Sequence, residues 1–480
     1  MKPTYPLLKK IGLILGPILF LIFYNLPITI INPEADKIIA IAIWMISWWI
    51  TEAVSISVTA LIPLTIFPLL GIMEMKEVAT SYGSPIVFLF FGGFVMALAL
   101  EKVNLHRRIA LNIIKLTGTS PNRVILGFMI ATAFLSMWIS NTATTVVMLP
   151  IALSVIDLLI NDKDGFTAGD KNFALSIMLG IAYAANVGGI ATIIGTPPNT
   201  VIVGFLETEY GIQISFLDWM MVGFPFSCVM IALVYFVLVK WVYPNGLKEF
   251  DSSTNIIEEE LKKLGKINKQ EARVLIVFAI TIFLWITRTY INAEVSFIKL
   301  SDAGISMLAA LALFSIPFNL KQGEFTLDWK DTVRLPWGIL ILFGGGLALA
   351  SGLSSAGVID YIGQIVRESN LNTFLIVSLL IIIMLFMTEL MSNVALVAIF
   401  APVVAGIAIG LDLEIIHILA PVAMAASCAF MLPMATPPNA IVFASGHIKV
   451  HEMVKAGVIL NIISVLLLIL LAFTVIPKVF

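Results

Sequence analysis

Long apolar runs constrain the fold of this chain more than any other feature of its sequence. Examples are residues 11–31, 174–194, 222–242 and 456–476. Each is long enough for the roughly 20 residues that a helix needs to cross a bilayer. Hydrophobic residues make up 60% of the 480 positions and charged residues 12%, against about 25% charged residues in a soluble domain. The sequence therefore predicts an all-α polytopic membrane protein and excludes a soluble enzyme.

The distribution of charge predicts the partners and the orientation of the chain. A net charge of −2 without a long basic tract gives no support for a nucleic-acid partner, so the expected partner is the lipid bilayer. Lys2, Lys9 and Lys10 precede the first span, and further lysines lie in the polar segment 245–271. By the positive-inside tendency, both regions are expected on the cytoplasmic side of the plasma membrane. We interpret residues 1–35 as a retained N-terminal span.

The polar segment 245–271 divides the sequence into two similar halves. The matching pieces are Phe91-Gly92-Gly93 with Phe343-Gly344-Gly345, Ser140-Asn141 with Ser392-Asn393, and Thr196-Pro197-Pro198-Asn199 with Thr436-Pro437-Pro438-Asn439. The distance from glycine to asparagine is the same in both halves, since 49 residues separate positions 92 and 141 as well as 344 and 393. This pattern predicts repeat 1 at 36–244, a cytoplasmic connector at 245–271 and repeat 2 at 272–480. If each repeat crosses the membrane an odd number of times, the two are inverted, which is typical of secondary transporters.

Each repeat carries a polar motif inside an apolar segment. Ser, Asn and Thr are preferred at helix N-caps, so Ser140-Asn141-Thr142 and Ser392-Asn393 predict helix breaks near 140 and 392. The positive end of each restarted helix would face whatever occupies the break. Because non-helical backbone at membrane depth is tolerated where it lines a cavity, each break predicts a binding site.

The two Thr-Pro-Pro-Asn motifs predict further breaks near 197 and 437. A proline has no N–H and cannot bond the carbonyl four residues earlier, so carbonyls near Gly195 and Ala435 are expected to be free. The carbonyls concerned are those of Ile193, Ile194, Pro433 and Met434. Free carbonyls with hydroxyl and amide oxygens suit Na⁺, and the facing helix N-termini suit a carboxylate.

The paired glycines have two interpretations. We expect them to mark the turning points of re-entrant hairpins near 83–103 and 336–356, although glycines also permit close helix packing. The predicted fold then has about 11 transmembrane helices and two re-entrant hairpins.

Two acidic residues lie within or beside apolar segments. Glu52 and Glu389 are each either a proton or cation ligand or a structural residue that pairs with a basic group or reaches an aqueous edge.

At these motifs the sequence resembles the divalent anion/Na⁺ symporter family, the INDY-like di- and tricarboxylate transporters, over essentially the whole chain. The resemblance implies a homodimer in which each protomer has a scaffold domain and a transport domain that moves as an elevator. It implies two or more bound Na⁺ ions, no other cofactor and no catalytic residue. The implied Na⁺ ligands are Ser136, Ser140, Asn141 and the backbone at Gly195 for the first site, and Thr388, Ser392, Asn393 and the backbone at Ala435 for the second. The implied substrate-binding residues are Ser140, Asn141, Thr142, Thr196, Ser392, Asn393 and Thr436.

One position departs from the family pattern. The second motif reads Ser392-Asn393-Val394, so an isopropyl group stands where a hydroxyl is expected. Losing a donor to a buried carboxylate costs about 1–3 kcal/mol unless another group compensates. The family also includes exchangers that swap dicarboxylates without sodium, so both Na⁺ symport and dicarboxylate exchange stay open.

The expected function is secondary transport of C4–C5 dicarboxylates such as succinate, malate, fumarate or 2-oxoglutarate. The alternatives are a transporter of another anion (citrate, sulfate or arsenite) and a cation/proton antiporter that uses Glu52 or Glu389. An integral-membrane enzyme is a remote alternative, because the sequence has no HExxH or GxSxG motif at membrane depth.

Overall fold

The computed structural model of the chain describes residues 6–26, 29, 31–118, 120–160, 167–247, 253–295, 297–369 and 371–480. Lys2, part of the basic start that predicts the orientation, lies outside these ranges. So do residues 161–166 of a polar insertion in repeat 1 and residues 248–252 of the connector.

Helices make up nearly all the regular structure of the described ranges, which confirms the predicted all-α class. The helices before the connector are α1 Leu7–Tyr24, α2 Pro33–Thr51, α3 Ile56–Thr59, α4 Ile62–Leu69, α5 Met75–Tyr82, α6 Pro85–Lys102, α7 Leu105–Thr117, α8 Pro121–Ser136, α9 Asn141–Ile160, α10 Ala168–Ile190, α11 Pro197–Tyr210 and α12 Phe216–Phe236, which a π-helical turn Val237–Val242 continues. From the connector onward they are α13 Ser253–Leu264, α14 Lys269–Glu294, α15 Asp302–Ser315, α16 Trp337–Ser355, α17 Val358–Glu368, α18 Thr373–Met387, α19 Asn393–Gly410, α20 Ile415–Ser427, α21 Pro437–Ala444, α22 Val450–Thr474 and α23 Ile476–Val479. A two-stranded antiparallel ribbon, β1 Pro317–Asn319 and β2 Glu324–Phe325, and a 3₁₀ turn Trp329–Arg334 lie between α15 and α16.

Eight helical segments in the described ranges are long and apolar enough to cross a membrane. They are Leu7–Tyr24, Met75–Lys102, Ala168–Ile190, Phe216–Val242, Lys269–Glu294, Trp337–Ser355, Asn393–Gly410 and Val450–Val479. Six shorter apolar segments of 10–17 residues accompany them: Ile56–Leu69, Pro121–Ser136, Asn141–Asp157, Asp302–Ser315, Thr373–Met387 and Ile415–Ser427. Several of the shorter segments come from the motif-bearing parts of the two repeats, where the chain leaves the helical conformation within an apolar stretch.

Two long helices, α10 and α14, begin at reciprocal hydrogen-bonded caps. At the start of α10, the Thr167 hydroxyl accepts from Asp170 N at 3.2 Å, and Asp170 Oδ2 accepts from Thr167 N at 2.7 Å. The Asn268–Glu271 pair makes the same reciprocal contacts at the start of α14, at 2.8 and 3.2 Å. Each pair satisfies N–H groups that a helix start otherwise leaves free, so these boundaries follow from local sequence.

The paired glycines lie inside uninterrupted helices. α6 and α16 run through Gly92 and Gly345 without a turn, so the expected placement of hairpins near 83–103 and 336–356 is wrong. A Cβ on Gly92 would lie 2.6 Å from the backbone oxygen of Ser306 in α15, and one on Gly345 would lie 2.2 Å from the backbone oxygen of Ala60. The glycines are there because another backbone passes at a distance that no side chain allows.

The chain is instead interrupted at the polar motifs. Four residues separate α8 from α9, and α18 and α19 are separated by 388–392. α10 packs against both α8 and α9, and α20 packs against both α18 and α19. The two repeats thus share one local arrangement, in which a broken helix pair lies on a helix that itself breaks before a Thr-Pro-Pro-Asn motif.

The connector folds back on α7 through ion pairs. Arg108 donates from Nε to Glu271 Oε2 at 3.1 Å and from Nη1 to the carbonyl of Gly265 at 2.8 Å. Both Arg108 and Glu271 are buried. Lys115 pairs with Glu258 at 3.0 Å. A contact with Lys115 holds the pKa of the Glu258 carboxyl below its usual value.

Candidate functional site

Four helices begin at one cavity of about 690 Å³. The first residues of α9, α11, α19 and α21 are Asn141, Pro197, Asn393 and Pro437, and all of them line this cavity. A helix N-terminus carries about half a positive charge and free N–H groups. The cavity is therefore suited to an anion.

The structure brings the site residues predicted from the sequence together. Nine of them line the cavity: Ser140, Asn141, Thr142, Gly195, Thr196, Ser392, Asn393, Ala435 and Thr436. The remaining two, Ser136 and Thr388, lie behind the asparagines with no exposed surface.

In repeat 1, Ser136 fixes the orientation of the Asn141 amide. Ser136 Oγ lies 2.7 Å from the Ala185 carbonyl oxygen and 2.6 Å from the Asn141 amide. A hydroxyl has one proton, so Ser136 donates to Ala185 and accepts from the NH₂ group of Asn141. In that orientation the NH₂ group also lies 3.3 Å from the carbonyl oxygen of Gly195. The carbonyl oxygen of Asn141 stays available to a ligand.

Repeat 2 contains the same arrangement. Thr388 Oγ1 lies 2.7 Å from the Ala426 carbonyl oxygen and 2.6 Å from the Asn393 amide. Here the amide oxygen of Asn393 is the atom that faces Thr388 Oγ1, so its NH₂ group points away from Thr388. The duplicated sequence therefore produces two copies of one polar site that face a common cavity.

The last residue of each Thr-Pro-Pro-Asn motif closes a turn. Asn199 Nδ2 donates to the carbonyls of Gly189 at 3.3 Å and Thr192 at 2.8 Å. Asn439 Nδ2 donates to the carbonyls of Ala429 and Leu432, both at 3.1 Å. In each copy these carbonyls lie ten and seven residues before the asparagine. Both asparagines are fully buried, so they support the site from behind.

The carbonyls near the prolines are only partly free. Ile193 O accepts from Thr200 Oγ1 at 2.7 Å, so the expectation that this carbonyl is unbonded is wrong. The Thr200 hydroxyl replaces the N–H that the proline lacks. The corresponding residue of repeat 2 is Ala440, which has no hydroxyl to donate. In the described ranges the carbonyls of Ile194, Pro433 and Met434 accept no hydrogen bond.

Glu389 is a buried structural residue. Its carboxylate accepts from the backbone N–H groups of residues 430, 431 and 432 at 2.8, 2.9 and 3.1 Å, and from Asn461 Nδ2 at 2.8 Å. These N–H groups are free because α20 ends at Ser427. Of the two interpretations of Glu389, the contacts favour the structural one, with hydrogen bonds to the backbone in place of a basic partner.

Glu52 forms an ion pair at the edge of the cavity. Its carboxylate lies 3.1 Å from Lys9 Nζ, and both residues line the cavity. They are the charged residues of its lining within the described ranges. Because the charges of Lys9 and Glu52 cancel, they add no net charge to the cavity. Its affinity for an anion comes from the helix N-termini, hydroxyls and amides.

Sequence reasoning missed two residues that support the second site. Tyr183 donates to the Phe430 carbonyl at 2.7 Å, and Asn186 donates to Thr436 Oγ1 at 3.0 Å. Both lie on α10, a helix of repeat 1 that is otherwise mostly apolar in this region. A buried polar side chain in a membrane helix is the signal that would have identified them.

Comparison with known proteins identifies the family. The sequence profile of the family described as sodium:sulfate symporter transmembrane region matches residues 8–477. The chain is 39% identical over 486 residues to the sodium-dependent dicarboxylate transporter SdcS of Staphylococcus saprophyticus, covering 99% of this chain and 93% of that protein. It is 39% identical over 480 residues to the protein of the same name in Staphylococcus aureus strain N315, covering 98% and 91%.

Solved structures with similar folds are membrane transporters of low sequence identity. Neisseria gonorrhoeae MtrF, described with a class of antimetabolite efflux pumps, aligns with a TM-score of 0.59 at 12% identity over 99% of this chain and 96% of that one. The Alcanivorax borkumensis YdaH transporter aligns with a TM-score of 0.55 at 11% identity over 97% of each chain. These two matches concern the fold alone. The profile match and the relatives confirm the resemblance seen in the paired motifs: the chain belongs to the divalent anion/Na⁺ symporter family, and it is a multi-pass secondary transporter and not an enzyme.

Proposed function

We propose that this chain couples Na⁺ entry to the transport of C4–C5 dicarboxylates, such as succinate, malate, fumarate or 2-oxoglutarate, across the plasma membrane. The observation that carries the proposal is the convergence of four helix N-termini and two copies of one polar motif on a single cavity. Each N-terminus stabilises a nearby anion by about 0.3–1 kcal/mol. The name of the relatives, sodium-dependent dicarboxylate transporter, supports the same substrate class.

Two copies of the motif suit the two ends of a dicarboxylate. One carboxylate would contact Ser140, Asn141, Thr142 and Thr196 in repeat 1. The other would contact Ser392, Asn393 and Thr436 in repeat 2, where Val394 supplies no donor. All of these residues line the same cavity.

The hard oxygen atoms beside each motif suit Na⁺. The first ion would bind the oxygens of Ser136, Ser140 and Asn141 and the backbone at Gly195. The second would bind those of Thr388, Ser392 and Asn393 and the backbone at Ala435. The first site has a cluster of oxygen atoms, since the Asn141 amide lies 2.6 Å from Ser136 Oγ and 3.3 Å from the Gly195 carbonyl oxygen. A Na⁺ ion there would turn the amide so that its oxygen joins this cluster, and the NH₂ group would then face the substrate carboxylate.

Movement of the site across the membrane would use an elevator in which the motif-bearing helices travel together. α10 packs against α20 and α21, and α11 packs against α19 and α20, so the two repeats interlock around the site. The opposite wall of the cavity comes from α1, α2, α6 and α16. We assign the interlocked helices to the transport domain and that wall to a scaffold domain of a homodimer, with inverted repeats and a cytoplasmic N-terminus.

Uptake by proteoliposomes tests the function. With an inward Na⁺ gradient, the reconstituted chain should accumulate labelled succinate, malate or 2-oxoglutarate, and Asn141→Ala or Asn393→Ala should raise KM by at least about tenfold because each removes a polar contact to a buried carboxylate. Asn112→Ala is the matched control, since Asn112 bonds only the Arg108 carbonyl on α7 among the described residues.

Three outcomes would change the conclusion. Uptake that needs preloaded dicarboxylate and ignores Na⁺ would identify an exchanger, and Val394→Thr would then show whether the missing hydroxyl sets that behaviour. Transport of citrate, sulfate or arsenite without any dicarboxylate uptake would identify a transporter of another anion. Wild-type KM values in both asparagine variants would contradict the proposed site.

A further inference from the structure

Asn186 connects the long helix of repeat 1 to the Thr-Pro-Pro-Asn turn of repeat 2. It lies on α10, is 1% exposed, and contributes to the lining of the cavity. Its Nδ2 lies 3.0 Å from Thr436 Oγ1, 3.4 Å from the Ala429 carbonyl oxygen and 3.4 Å from Asn439 Oδ1. Because Ala429 O and Asn439 Oδ1 can only accept, the amide of Asn186 presents its NH₂ group to Thr436.

This contact determines what the Thr436 hydroxyl can do. Thr436 Oγ1 accepts from Asn186 Nδ2 at 3.0 Å and from the backbone N–H of Asn439 at 3.3 Å. A hydroxyl oxygen has two lone pairs and one proton, so both lone pairs are in use and the proton remains. Among the residues that the structure describes, Thr436 donates to none, and its side chain lines the cavity. The O–H is therefore free for a ligand in the cavity.

The corresponding threonine of repeat 1 lacks this arrangement. Thr196 makes no side-chain hydrogen bond to the start of α11, whereas Thr436 accepts one at the start of α21. Asn186 lies ten residues before Thr196, and the residue ten positions before Thr436 is Ala426. The Asn186 amide thus belongs to repeat 1 and bonds a residue of repeat 2. The duplicated motifs alone do not account for this contact, because repeat 2 has no equivalent amide.

We propose that Asn186 is a positioning residue, which by donating to Thr436 Oγ1 holds the Thr436 hydroxyl as a hydrogen-bond donor to a substrate carboxylate. The inference rests on the proposed dicarboxylate transport. Thr436 and Val394 lie in the repeat 2 part of the cavity, where Val394 provides no hydrogen-bond donor. The oriented Thr436 hydroxyl therefore compensates for the hydroxyl that the second motif lacks.

The test is a double-mutant cycle measured by Na⁺-driven succinate uptake in proteoliposomes that contain the full chain. Asn186→Ala should raise KM about tenfold and leave the maximal rate within about twofold, because a substrate contact weakens and the transport step is unchanged. Thr436→Val should raise KM by at least as much. The double variant should be no worse than Thr436→Val, since Asn186 acts through the hydroxyl that this change removes.

Several variants separate positioning from a general structural role. Ser227→Ala removes a different buried hydrogen bond to α10, from Ser227 Oγ to the Val187 carbonyl at 2.7 Å, and should leave KM unchanged. Asn186→Ser provides a shorter donor at the same place and should recover part of the lost affinity.

Two results would overturn the proposal: an unchanged KM in Asn186→Ala, or effects of Asn186→Ala and Thr436→Val that add in full. If Asn186→Ala does not fold, a wild-type KM in Thr436→Val would overturn it as well. An unaltered chain without dicarboxylate uptake would refute the proposed function itself.

Discussion

The carboxylate of Glu389 is the buried charge closest in sequence to the second motif. Three backbone N–H groups and the Asn461 amide donate to it, so its charge is met by fixed dipoles. The same dipoles hold the unwound segment after α20 against α18, next to Thr388. At the matching position of repeat 1 stands Met137, whose carbonyl accepts from Thr192 Oγ1 at 2.6 Å. One loop is therefore held by a buried charge and the other by a neutral hydroxyl.

Glu389→Gln should destabilise the protein by about 2–4 kcal/mol, because the NH₂ group of glutamine would face N–H donors that a carboxylate accepts. Thermal unfolding of the purified protein in detergent measures the effect. Glu414→Gln alters an exposed carboxylate at the start of α20 and serves as the matched control. Equal melting temperatures for Glu389→Gln and the unaltered chain would contradict this role of Glu389.

The site residues differ in how far their sequence predicts them. Asn141 and Asn393 are identifiable because the motif that contains them occurs twice at equal spacing from the glycines. The function of Asn186 is not predictable in this way, since its partner Thr436 lies 250 residues further along the chain. A sequence motif identifies residues whose role depends on their neighbours in the chain. A contact between distant residues depends on how whole helices pack, which the sequence pattern does not reveal.

Helix boundaries show the same division at the scale of elements. The breaks before Asn141, Pro197, Asn393 and Pro437 follow from caps and prolines, which act on the nearest backbone groups. The expectation of turns at the glycines of α6 and α16 is wrong because glycine is common both in turns and where helices approach closely. Only the neighbouring backbone, such as that of Ser306 beside Gly92, distinguishes the two cases.

The docking of the connector on α7 depends on a buried ion pair. Arg108→Met should cost about 3–5 kcal/mol, because it leaves the Glu271 carboxylate buried without its cation. Arg107→Met, on the preceding residue, is the matched control, since the Arg107 side chain is more exposed than that of Arg108 and pairs with Glu260. This partly exposed pair should contribute about 1 kcal/mol, less than the buried one.

Unfolding of both variants in denaturant provides the comparison. A second change, Glu271→Gln in the Arg108→Met background, should recover part of the loss because it removes the unpaired charge. Equal stability of Arg108→Met and Arg107→Met would show that burial of the pair does not matter.

At the scale of the whole molecule, the two copies of the site are not in equivalent surroundings. Trp138 is 7% exposed, whereas its counterpart Leu390 is 70% exposed. Ile194 and Met434, before the two Thr-Pro-Pro-Asn motifs, are 7% and 75% exposed. Trp138 is covered by Phe216 and Phe278 at ring distances of 6.0 and 5.3 Å. We call the helix break and the Thr-Pro-Pro-Asn turn of each repeat its tip. The cavity is therefore open at the repeat 2 tip and closed at the repeat 1 tip, as expected for one end state of an alternating transporter.

Cysteine labelling in oriented vesicles tests this asymmetry. With an impermeant maleimide, Met434→Cys should react from one side of the membrane and Ile194→Cys from the other, because an elevator opens the two tips in turn. Leu206→Cys, at a fully buried position of α11, is the control for damage to the fold, and the unaltered chain gives the background from Cys228 and Cys428. Reaction of both introduced cysteines from the same side would exclude this form of alternation.

The glycine contacts of α6 and α16 determine where such movement can occur. At Gly92 and Gly345 two backbones meet with no side chain between them. Side chains allow one helix to slide over another because they can change rotamer, and bare backbones have no such freedom. These two contacts are therefore fixed joints. In the proposed elevator, movement would take place along helix surfaces that are covered by side chains, and the wall that contains α6 and α16 would stay in place while the site moves past it.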